Sequence, residues 1–147
     1  MRKLADITAF LVQQNLVAAE QIDSWVENPR IVPAADVRGE AVVLYRQTYD
    51  AVISIERYPH KTHPAELLFA LVACWLMDND SECDEIATPQ TDVDILDAST
   101  ADIEITIEFE EDITGVEDPA GPILFNGKQY RLAIDVVDYA EEGEVRT

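Results

Sequence analysis

Three groups of residues in this chain could in principle do chemistry. Asp78-x-Asp80-x-Glu82 has the opening of a calcium loop. Such a loop needs Gly at its sixth position and a bidentate Glu at its twelfth. Those positions hold Cys83 and Pro89, so an acidic turn that ends a helix is the expected role. His60 and His63 stand three residues apart and could ligate a metal. No nearby Cys or carboxylate has the spacing of a third and fourth ligand. A catalytic triad would need one of them beside an activated nucleophile. Ser54, Ser81, Cys74 and Cys83 lie in no recognisable nucleophile context. Carboxylate pairs at glycosidase-like spacing are unavoidable among 30 acids and so carry no specificity. With five glycines there is no phosphate-cradling loop. The expectation is a protein that is not an enzyme, with no catalytic residue, cofactor or metal.

The acids are nonetheless the outstanding feature. Against 10 basic residues they give a formal net charge of −20. Residues 1–73 carry 7 basic and 9 acidic side chains, and residues 74–147 carry 3 and 21. That balance disfavours wrapping nucleic acid, which needs clustered Lys and Arg, and docking on an anionic membrane. One stretch organises the charge. Ile103, Ile105, Ile107 and Phe109 alternate with Asp102, Glu104, Glu108 and Glu110, the pattern of a half-buried strand with an acidic comb on its free side. Asp102, Glu104, Glu108 and Glu110 are therefore the candidate functional face, either lining a channel or simply meeting solvent.

The elements that must position this comb are legible in outline. The 147 residues, 48% apolar, suit one domain with a real core. Leu4, Ile7, Phe10 and Leu11 recur at helical spacing over 2–15, and Ile22, Trp25 and Val26 suggest a second helix over 18–27. Pro29 and Pro33 then predict an irregular connection. Residues 40–58 read as a strand, with a bulge or bend expected near Gln47–Asp50. A helix follows, with His63 at the N-cap, Pro64 at N1 and Glu66 at N3. Every residue from Leu67 to Met77 is apolar. A helix lacking a polar side should be covered on several sides, so it is expected at the centre of the core. Trp25, Trp75 and Cys74 are expected to be core residues too. Residues 91–97 form a short strand, and Ile123-Leu124-Phe125, Asn126-Gly127 and 129–134 form a hairpin with a type I′ turn.

The predicted architecture is thus α+β, with N-terminal helices and one central apolar helix packed on a mainly antiparallel or mixed β-sheet. It forms a single domain over 1–147: a helical segment 1–30, a core of about 35–138 and a loose polar tail 139–147. Met1-Arg2-Lys3-Leu4 does not open a signal peptide, and no run reaches the ~18 apolar residues that span a bilayer. The expected compartment is the cytoplasm.

Several local words also resemble the tail completion protein R family of P2-like temperate phages. They are Tyr45-Arg46-Gln47-Thr48-Tyr49-Asp50-Ala51-Val52, then Ala73-Cys74-Trp75-Leu76-Met77-Asp78 closing a Pro-initiated apolar helix. Asp92-Val93-Asp94, the strand Asp102 to Phe109 with Glu110-Glu111, and Gly121-Pro122-Ile123 follow. The resemblance covers roughly residues 35–136. It implies a tail-terminator-like fold and a structural subunit that caps the head-proximal end of the tail. It also implies a homohexameric ring in the neck of the virion, assembled in the host cytoplasm. The implied partners are further copies of the chain, the tail tube and sheath proteins and the head–tail connector. Genome DNA would pass through the lumen without specific binding, and no membrane is involved. Three other readings stay open: another neck or minor tail protein, an acidic DNA mimic that inhibits a host nucleic-acid-binding protein, and a small hydrolase with an unrecognised acid pair.

Overall fold

The computed structural model describes residues 1–80 and 88–133. Its elements run α1 (Arg2–Gln13), a 3₁₀ turn (Ala19–Gln21), β1 (Ile22–Arg38), β2 (Ala41–Tyr58), α2 (Ala65–Asn79), β3 (Gln90–Ile95), β4 (Ala101–Glu117), β5 (Ile123–Phe125) and β6 (Lys128–Leu132). The strands form an antiparallel sheet in the order β1-β2-β4-β6-β5, with β3 also paired to β4. The α+β expectation holds at this level. Ser81, Glu82, Cys83, the end of the predicted hairpin strand at Ile134 and the polar tail 139–147 lie outside the described residues. No described helix is long and apolar enough to cross a membrane.

The chain divides into two compact units, Met1–Pro29 with Tyr49–Glu110, and Arg30–Thr48 with Glu111–Thr147. Strands β1, β2 and β4 contribute residues to both.

The first unit holds the main core. Tyr49, Ala51, Ile53 and Ile55 of β2 alternate inward beside Ala101, Ile103, Ile105, Ile107 and Phe109 of β4, all at 1% exposure or less. Both helices lay apolar positions on this surface: Leu4, Ile7 and Leu11 from α1, and Leu68, Val72, Trp75 and Leu76 from α2. The rings of Tyr49 and Phe109 lie 5.9 Å apart at 56°. Trp75 meets Phe109 edge-on at 6.3 Å, a favoured aromatic arrangement. The buried Tyr49 hydroxyl accepts the Leu4 N–H at 3.3 Å. Lys3 ties α1 to the end of α2. Its ammonium pairs with the carboxylate of Asp80, itself 2% exposed, and donates to the Glu110 carbonyl at 2.7 Å.

In the second unit Val42, Val43 and Tyr130 are buried. Asn126 and Gly127 both have positive φ, 52° and 79°, as a type I′ turn requires, and Phe125 packs on Tyr130 with ring centroids 6.4 Å apart. Arg46 binds Asp112 at 3.1 Å. A Cβ on Gly121 would fall 2.2 Å from the Tyr130 carbonyl oxygen, so only glycine fits there.

Several sequence expectations are corrected. The predicted helix over 18–27 is a 3₁₀ turn followed by β1, and the supposed irregular connection is the rest of that strand. β1 ends the strand order, where proline's missing N–H leaves no ladder bond unmade. Trp25 consequently sits on an edge strand, 37% exposed, with its indole N–H donating to Glu27 at 3.0 Å. The N-cap of α2 is Pro64, with no side-chain capping bond from His63. Finally, α2 is buried along one side only. Leu67 is 41% exposed, Met77 60%, and Cys74 is exposed. Its unbroken apolar run is therefore not matched by cover on several sides. Strand β2 is continuous from Ala41 to Tyr58.

Candidate functional site

The acidic comb forms as its alternation requires. Along β4 the burial alternates from Ala101 to Glu110, with Ile103, Ile105, Ile107 and Phe109 buried and Glu104, Glu108 and Glu110 exposed. Asp102 is half-buried, and its Oδ1 accepts the backbone N–H of Arg57 at 3.0 Å. Arg57 is reached in this way because its backbone takes a left-handed conformation at φ 53° near the end of β2. The four predicted residues Asp102, Glu104, Glu108 and Glu110 thus do share one side of one strand. Asp102 and Glu104, and likewise Glu108 and Glu110, stand about 7 Å apart by strand geometry, inside the ~8 Å screening length at physiological salt, so the fields within each pair add, while Thr106 separates the two pairs.

The structure enlarges the comb beyond what the sequence suggested. β3 pairs with β4 so that Asp92 lies across from Glu104 and Asp94 across from Asp102. Cross-strand partners share a side of the sheet, so Asp92 and Asp94 stand beside the first two teeth, Glu104 and Asp102. Like charges directly opposite destabilise a sheet, and this hairpin places two such pairs in succession. Sequence reasoning missed them because the register was unknown. The signal that could have supplied it is the turn Leu96 to Thr100. There the Asp97 carboxylate accepts the N–H groups of Ser99 at 2.8 Å and Thr100 at 2.7 Å, and the Thr100 hydroxyl at 3.0 Å. Those bonds, Ser99 first, hold the Asp97 carboxyl below its ordinary value of 3.8, with His60 assisting. Counting outward from this turn fixes Ile95 against Ala101 and all that follows.

The remaining candidates are not brought into a reactive group. His60 Nε2 lies 3.3 Å from the Asp97 carbonyl oxygen, in keeping with a turn role. The buried Tyr58 hydroxyl donates to the Pro64 carbonyl at 3.3 Å at the entry to α2, and burial pushes its pKa up. Among the described residues no three His, Cys, Asp or Glu side chains are placed to hold a metal ion. What this surface can do is electrostatic. Ionised carboxylates accept hydrogen bonds and donate none. Arrayed on a stiff sheet they repel phosphate and attract basic groups.

Comparison with known proteins gives this surface a setting. The family model described as P2 phage tail completion protein R matches residues 1–134. The chain is also similar to a 19.2 kDa protein from the rep-hol intergenic region of Haemophilus phage HP1 (strain HP1c1). The two are 30% identical over 125 residues, which cover 83% of this chain and 75% of the relative. No solved structure shows significant similarity to the chain.

Proposed function

The chain belongs to the P2 phage tail completion protein R family, and from that premise we propose that it completes the tail by closing its head-proximal end as a homohexameric ring. It is a structural tail protein by family, which makes it a virion component that associates with other tail parts. In the proposed reading the ring has a tail-terminator-like subunit fold. It stops growth of the tube and sheath, sits in the neck and presents a surface to the head–tail connector. The subunit is made in the host cytoplasm and joins the particle there.

Membership across residues 1–134 is the observation that carries this reading. The acidic face supports a specific part of it. Asp102, Glu104, Glu108 and Glu110, with Asp92 and Asp94 beside the first two, form a surface that repels phosphate. Lining the lumen of a ring, it would let genome DNA slide through without adhering. Six copies would surround the channel with a field that water and salt reduce but do not abolish at its wall. The side-chain pairing that holds this row costs stability, which a face with no role beyond meeting solvent would not require.

The test is negative-stain microscopy of particles from a phage lacking the gene, with and without a complementing copy. Tails of abnormal length and tails without heads, both corrected by complementation, are the expected result. Normal-length tails attached to heads would overturn the reading. A neck reconstruction with Glu104 and Glu108 on the outer rim would remove the lumen assignment alone.

A further inference from the structure

The two units differ sharply in charge and each exposes an apolar strip. By sequence the first carries nineteen acidic and four basic side chains, the second eleven and six. Two copies that met through their first units would bring together the most strongly negative parts of an acidic chain. Contact between the first unit of one copy and the second unit of another is opposed far less.

Each unit has a surface suited to that contact. In the first, Leu67, Ala70, Cys74 and Met77 follow one another at spacings of three and four along the uncovered side of α2, all exposed. The stripe has no charge of its own from Leu67 to Met77 and is bracketed by Glu66 and Asp78. In the second unit, β1 ends the sheet. There Ile31, Val32 and Val37 are 72%, 50% and 69% exposed. Arg30 and Arg38 bracket this strip, and the Arg38 side chain keeps 58% of its surface in solvent while bound to Asp36 and Asp112. One strip is apolar with acidic ends, the other apolar apart from Asp36, which Arg38 binds, with arginine ends. Exposed apolar patches with polar rims of this kind mark association surfaces.

We propose that the α2 stripe of one copy receives the Ile31–Val37 edge of β1 from the next copy, with Arg30 and Arg38 set against Glu66 and Asp78. The contact is heterologous, joining different patches on the two partners. Repeated, it builds either a closed ring or an open filament according to the rotation at each step. The inference rests on the ring reading above and names the surfaces that would make the ring.

The experiment uses two full-length variants that each spoil one surface, L67K/M77K on α2 and I31D/V37D on β1. All four positions are exposed, so unchanged circular dichroism and melting are expected of both. By mass photometry each variant alone should self-associate roughly tenfold or more weakly than the unaltered protein. An equimolar mixture should recover dimers and stop there, because each variant retains the surface the other lacks. Variants that assemble like the unaltered protein would overturn the proposed pairing and leave the ring reading intact. So would a mixture that forms no dimer. An unaltered protein that stays monomeric even with tail tube present would overturn both. A measurement that needs no interface substitution stands beside these. In a C83S background, alkylation of Cys74 should slow roughly tenfold on self-assembly. Equal rates in monomer and assembly, or protection by tube protein without self-association, would overturn the proposal.

Discussion

Asp92 and Glu104 lie directly opposite one another in the antiparallel pair β3–β4, two carboxylates on one side of the sheet with Asp94 and Asp102 as the next pair along. The arrangement works against the stability of the hairpin that holds it. Asp92→Asn should therefore stabilise the protein by about 0.5 kcal/mol, measured by urea unfolding at low salt. In ~1 M salt, where screening shortens to about 3 Å, the gain should shrink. A variant less stable than the unaltered protein at low salt would show that the pair is bridged and not opposed.

The Lys3–Asp80 pair makes a larger claim on stability. Asp80 is 2% exposed, and Lys3 joins it to α1 while also capping the Glu110 carbonyl. Removing the cation breaks the Lys3 pairing of a buried carboxylate, at a cost of about 3 kcal/mol. Lys3→Ala should show this in equilibrium unfolding. A loss below about 1 kcal/mol would contradict a stabilising role for this pair.

Asp97 predicts a pH dependence. Its folded pKa is depressed by the Ser99 and Thr100 N–H groups, so it contributes stability above its unfolded value of 3.8. That contribution is lost as the pH falls through the lower folded value. Asp97→Ala should accordingly be less stable than the unaltered protein at pH 7, with the difference closing below pH 3.8. Thermal melts across that range check it. A difference that stayed constant with pH would assign the effect to turn geometry alone.

How far the sequence revealed this molecule depends on how each element is buried. β4 was legible because one side meets the core and the other meets water, so Ile103 to Phe109 alternate with acids along one line of text. The β5–β6 hairpin was legible from Asn126-Gly127, since few dipeptides accept two positive φ values. β1 was not. It is exposed from Asn28 to Arg38 and so has no inward side to set a period. Positive φ at Asn28 (53°) and Ala35 (62°) breaks its pleat, and Pro29 and Pro33 read as breakers away from an edge. For α2 the text misled in another way. Apolar residues on every side predicted full cover, whereas Leu67 and Met77 stay exposed. Of the acidic face, the β4 row could be read directly. Asp92 and Asp94 could not be placed until the Asp97 turn set the register.

Gly121 tests how tightly the β5–β6 hairpin is closed. Any side chain there collides with the Tyr130 backbone, and the Gly121 N–H donates to the Asp118 carbonyl at 2.8 Å. Gly121→Ala should displace the hairpin at a cost of roughly 1–3 kcal/mol, seen as loss of amide protection at Tyr130 in hydrogen exchange. Unchanged protection would show that the loop moves aside without strain.

The central claim, that the chain completes the tail through a ring at its head-proximal end, is most directly tested by counting and locating it in purified particles. Quantitative mass spectrometry of virions, paired with gold-labelled antibody, should find six copies per tail and label confined to the neck. Absence from the particle, or label spread along the tube, would contradict it.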